Sequence, residues 1–149
     1  MKNSLLLSCC FLFILAAGPT CTARSSAQQP EIQGTPVTDY TSLLAKLRAA
    51  GVNIEPLEEV DQPFFSVKGK AIELYGDHVQ IFEYPNASAA DAEARLVSPS
   101  GMAVGNTRMH WLGPPRFYKK EKLIVLYIGD NEKVTKALEG VLGRHFAGR

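Results

Sequence analysis

The sequence predicts an α+β domain: an antiparallel sheet with helices packed on one face, made of an N-terminal helix and then two strand-strand-helix units. Three observations lead there. A strand, a tight break, a cap and a helical period occur in that order twice, in 79–97 (VQIFEYPNASAADAEARLV) and in 123–143 (LIVLYIGDNEKVTKALEGVLG). Each copy opens with six residues rich in β-branched and aromatic side chains, breaks at Pro85 or Gly129, and continues through Asn86 or Asp130. Each also has a hairpin signal upstream, Gly76-Asp77 for the first and Lys119-Lys120-Glu121-Lys122 for the second. An antiparallel partner strand is therefore expected before each copy.

The chain has 149 residues with 46% hydrophobic and 21% charged side chains, an ordinary globular composition. Residues 1–27 read as an export signal. Lys2 supplies a positive start, and 5–17 (LLLSCCFLFILAA) is an apolar run too short to span a bilayer comfortably. Gly18-Pro19-Thr20-Cys21 resembles a bacterial lipoprotein box, which makes Cys21 the lipidation candidate. It departs from that pattern at Gly18, where Leu is usual, and at Thr20, where Gly or Ala is preferred. Plain cleavage after Ala23 or Ala27 is the alternative. All three cysteines lie at or before Cys21, so the remaining chain has neither a disulfide nor a thiol to offer. A flexible polar tether, 28–37, then leads into a single domain over 38–149. Without the leader about 120 residues remain, enough for one core and too few for two.

Within the domain, Thr38 or Asp39 caps a helix whose Tyr40, Leu43, Leu44, Leu47 and Ala50 share one face, and Gly51 ends it. A short strand through Val52 and Ile54 is expected to stop at Pro56. Glu55, Glu58, Glu59 and Asp61 then form a solvated acidic loop, because no glycine bend or alternate spacing suits a calcium loop. Residues 63–67 (PFFSV) lead into the sheet, Ala71 to Tyr75 form the next strand, and the Gly76-Asp77 turn holds His78. On 79–84, Val79, Ile81 and Glu83 share one face while Gln80, Phe82 and Tyr84 share the other, which marks a central strand packed on both sides. Asn86 or Ser88 caps an alanine-rich second helix. After a loop or an irregular edge over 102–107, a short strand is expected at 109–112 (MHWL), then the hairpin pair 116–118 and 123–128. Asp130 caps the last helix, with Val134, Ala137, Leu138, Val141 and Leu142 as its core stripe. The tail lies back on the sheet through Phe146.

The charge balance excludes some partners. The formal charge is +1, and losing Lys2 and Arg24 with a leader leaves 14 basic against 15 acidic residues. Such a chain has no long-range field to gather nucleic acid, so no nucleic-acid partner is expected. The three histidines, His78, His110 and His145, are widely separated in sequence, and neither a metal site nor a cofactor is expected from them. No GxSxG elbow and no glycine-rich phosphate loop occurs, so no catalytic residue is assigned.

The stretch with most binding potential is 110–118 (HWLGPPRFY). It gathers His110, the lone tryptophan Trp111, Arg116, Phe117 and Tyr118 about a Pro-Pro bend. Aromatic groups beside a cation suit a groove for a peptide, a glycan or a lipid headgroup. The plainer reading places Trp111 and Phe117 in the core and leaves Arg116 solvated.

The stretches QPFFSV, VQIFEY, HWLGPPRFY and KLIVLYIGD resemble those of small exported bacterial proteins, often lipoproteins, of no assigned function. The likeness covers 38–149 and rests on core and turn residues, so it implies export and one compact domain and carries no catalytic residue across. The functional expectation is an exported, lipid-anchored, non-enzymatic binding or accessory module of the cell envelope, partnered by the membrane through its anchor and by an envelope protein or a small ligand. Two alternatives stand beside it: a small secreted enzyme or cofactor carrier using His110, Tyr118 and Glu83, and an inhibitor or subunit of an envelope complex. An enzyme requires His110 in a cleft beside a carboxylate or hydroxyl. A binding module requires an exposed apolar patch at Trp111 or Phe117.

Overall fold

The computed structural model describes residues 36–149. Residues 1–35, with the expected leader, Cys21 and most of the tether, lie outside the described residues. Helix α1 (Tyr40–Ala49) starts at Asp39, whose carboxylate accepts from the Ser42 backbone N–H at 2.8 Å while Ser42 Oγ accepts from the Asp39 N–H at 3.0 Å. This reciprocal cap satisfies two backbone donors that a helix start leaves open. Gly51, at φ +80°, ends the helix as expected.

Strands β1 (Ile54–Val60), β2 (Gly69–Leu74) and β3 (Asp77–Glu83) follow, then helix α2 (Ala87–Ala94) and a small hairpin of β4 (Ala103–Val104) and β5 (Thr107–Arg108). Strands β6 (Pro115–Lys120) and β7 (Leu123–Ile128), helix α3 (Glu132–Leu142) and a final strand β8 (Ala147–Gly148) complete the chain. The main sheet is six-stranded and antiparallel throughout, in the order β1-β2-β3-β7-β6-β8. The two expected strand-strand-helix units are β2-β3-α2 and β6-β7-α3, and their second strands meet at the centre with Ile81 opposite Val125.

The helices do not share one face. On one side of the sheet, Leu43, Leu44 and Leu47 of α1 and Val134, Leu138 and Leu142 of α3 pack on Ile72, Val79, Ile81, Val125 and Tyr127. On the other, Ala90 of α2 packs with Phe65, Phe82, Tyr84, Phe117, Ile124 and Leu126. The division follows side-chain size. Four large rings fill the second layer, and a helix of alanines fits over them where a leucine stripe would not. Strand alternation makes both layers possible, because residues one apart on β3 and β7 point to opposite sides.

Several boundaries differ from expectation. Strand β1 runs through Pro56, and the acidic run forms an exposed edge strand with a register shift between Pro56 and Glu59. Proline is tolerated there because an edge strand leaves one row of backbone groups unpaired. Residues 63–67 form turns and 109–112 an irregular segment; neither joins a strand. Asn131, not Asp130, caps α3, its side chain accepting from the Lys133 N–H at 3.0 Å. His78 lies within β3, since the β2–β3 connection is the two residues Tyr75 and Gly76, at φ +53° and +86°. Positive φ at both positions is what a tight two-residue hairpin demands, and only Gly76 adopts it without steric cost. The tail does return to the sheet: the Phe146 N–H donates to the Phe117 carbonyl at 2.8 Å, and β8 pairs with β6.

Candidate functional site

Helix α2 covers only part of its face of the sheet. Along β3 that face reads His78, Gln80, Phe82, with Tyr84 just beyond, so it passes from polar to aromatic in four alternate positions. The aromatic end lies under α2. At the other end His78, Gln80 and Ile128 form the floor of a groove of about 330 Å³, and the irregular segment after β5 supplies its wall with His110, Trp111 and Leu112. His78 and His110 are exposed, and the Leu112 side chain is fully so, at 106%. Gln80 accepts from Gln62 Nε2 at 2.9 Å, which leaves its own amide N–H groups free to donate. Glu73 stands directly across from His78 on the neighbouring strand, on the same face.

Trp111 is held by several contacts. Its indole Nε1 donates to the Gly101 carbonyl at 2.8 Å. Its ring meets Phe64 edge-on at 5.8 Å between centroids and 88°, and Phe117 at 6.1 Å and 65°. Gly101 sits at φ +71°, and a Cβ there would meet Pro115 Cγ at 3.0 Å and the Gly148 Cα at 3.2 Å, so this approach to the indole admits only glycine readily. The ring is thus fixed while half-exposed. It also borders a second hollow of about 280 Å³, formed with Ser100, Met102, Gly113, Pro114, Pro115 and Arg149.

The expected site residues divide. His110 and Trp111 meet at the groove. Arg116 is half-buried and donates through Nη1 to the Gly129 carbonyl, so it braces the β7–α3 turn. Phe117 and Tyr118 are wholly buried on opposite faces of the sheet. Burial, reinforced by the nearby Glu139 charge, pushes the Tyr118 hydroxyl up to about 12. That hydroxyl has no hydrogen-bond partner among the described residues, and its ring lies 5.9 Å from the His145 ring. Glu83 pairs with Lys122 at 2.7 Å and lines a different groove with Tyr40, Lys68 and Lys70. His110, Tyr118 and Glu83 are therefore not brought together.

His78, Gln80, Leu112 and Ile128 complete the groove and were not singled out from the sequence. A signal for two of them was present: alternate positions that change from His and Gln to Phe and Tyr mark a face half in water. Among the described residues no group of three or more His, Cys, Asp or Glu is placed to hold a metal ion, and no helix is long and apolar enough to cross a membrane. No family model, curated protein or solved structure matches the chain.

Proposed function

We propose that the chain is an exported, lipid-tethered, non-enzymatic binding module of the cell envelope, with the groove at Trp111 as its contact surface. One observation carries the contact surface: a tryptophan locked by two aromatic neighbours and an internal hydrogen bond lies beside a fully exposed leucine, over the end of β3 where His78 is exposed. Rigid, partly exposed aromatic groups give contact area at low entropic cost, as binding surfaces require. The enzyme alternative loses support, since its three residues stand apart.

Two measurements test the proposal. The first is the mass of the chain from membrane and soluble fractions of its host. An acylated Cys21 amino terminus in membranes is expected; a soluble chain starting at Arg24 or Gln28 would refute the tether. The second is a photo-cross-linking side chain at position 112, compared with one at the exposed Lys136 on α3. Adducts confined to position 112 are expected, and equal yields at both positions would refute the contact surface.

A further inference from the structure

We propose that the groove at Trp111 takes a neutral oligosaccharide, with a pyranose ring lying against the indole; this rests on the binding-module reading above. The argument starts from what the lining offers. His78, Gln80 and His110 are its polar members, and among the described residues no Asp, Glu, Lys or Arg lines it. Imidazole and carboxamide groups both form hydrogen bonds with a sugar hydroxyl, which donates and accepts. The fixed indole supplies the complementary element, because the weakly positive C–H face of a pyranose is attracted to the negative π-face of an aromatic ring. Since Nε1–H is already spent on Gly101, the indole meets its ligand through the ring alone.

The sheet argues against an extended peptide. The floor residues belong to β3 and β7, which are interior strands with partners on both sides, so they offer no free strand edge for main-chain pairing. Nucleic acid is disfavoured because, among the described residues, no Lys or Arg lines the groove to meet phosphates. The size suits a short saccharide: about 330 Å³ lies at the small end of the roughly 300–1,000 Å³ usual for ligand sites. Trp111 also borders the second hollow of about 280 Å³, so the indole takes part in two adjoining concave surfaces.

The test uses the full-length protein from its host and a tetramer of β-1,4-linked N-acetylglucosamine as the probe. The chain contains one tryptophan, so a saturable change in its emission reports contact directly. Saturation is expected, with Gln80→Ala and His110→Ala each weakening affinity about three- to tenfold, the size of one lost hydrogen bond. Affinity is expected to change less than about twofold when salt rises from roughly 20 mM to 0.5 M, because no charge pairs are formed. Two results would overturn the inference: no saturable response, confirmed by calorimetry, or binding that both alanine variants leave intact. If the saccharide fails while position 112 still gives its adducts, the glycan assignment alone falls. If both fail, the binding-module reading falls with it.

Discussion

Gly69→Ala is a stringent test of the aromatic layer. Gly69 pairs with Phe82 across the β2–β3 ladder, and a Cβ built on it would lie 2.7 Å from Phe82 Cε1 and 2.9 Å from Val60 Cγ2. Carbon atoms are comfortable at about 3.5–4.0 Å, so roughly 1 Å must be found. Phe82 cannot readily supply it, since the ring is wholly buried and its centroid lies 4.7 Å from that of Phe65. Overpacking of this kind costs about 1–3 kcal/mol, and replacing glycine in a strand returns about 0.5–1 kcal/mol. The expected net loss is about 1–2 kcal/mol, or a fall in Tm of roughly 4–8 °C for a domain of this size. The assay is urea denaturation followed by Trp111 emission. A second variant checks the cause. Phe82→Leu should cost about 1–2 kcal/mol alone and clearly less in the Gly69→Ala background, because it vacates the space that the added methyl group needs. Gly69→Ala at or above parental stability, or strictly additive losses in the double variant, would refute the packing argument.

Other predictions follow from single groups. Tyr118→Phe removes a buried hydroxyl without a partner among the described residues, so stability at pH 7 should be unchanged or higher by up to about 1 kcal/mol, and a loss beyond about 1 kcal/mol would show that the hydroxyl is bonded. Its folded pKa lies above the ordinary 10.0, so its contribution to stability is constant below pH 10 and falls as pH rises toward about 12, where the unfolded chain ionises first; the phenylalanine variant should show a flatter alkaline decline. Asp39 is held below the usual carboxylate value of 3.8, first by the Ser42 backbone N–H, so its stabilisation is complete above that value and is lost as pH falls through the lower folded pKa. Asp39→Asn keeps a capping side chain and should flatten the acid limb of the stability profile, read by circular dichroism. Leu112→Ser should leave Tm within about 1–2 °C of the parent, because that side chain is fully exposed, while weakening capture of the partner at the groove.

The amino-acid pattern alone carried much of this fold. The repeated strand-break-cap-helix order located β3-α2 and β7-α3, the 3.6-residue stripe through Val134, Leu138 and Leu142 located the buried side of α3, and Asp39, Asn86, Gly51 and Gly76 marked caps and turns. These features are local: a cap, a glycine at positive φ or a periodic stripe is decided within a few residues of chain. Proline misled at position 56, because whether it is tolerated depends on the strand lying at the sheet edge, and edge position is a property of pairing. In the same way, 63–67 and 109–112 have the composition of strands, yet their aromatic groups pack from loops over the sheet.

Which face each helix covers was decided only in three dimensions, by how much volume the rings of Phe65, Phe82, Tyr84 and Phe117 occupy together. The candidate site divides along the same line. His110 and Trp111 are neighbours in the chain and could be read as a pair. Tyr118 and Phe117, equally close in sequence, vanish into opposite layers because successive strand residues point opposite ways. His78 and Gln80 join Trp111 only because β3 lies beside β7 with His78 at the end that α2 leaves bare. Sequence settles what each residue favours among its neighbours along the chain, and pairing across a sheet settles which distant residues become neighbours.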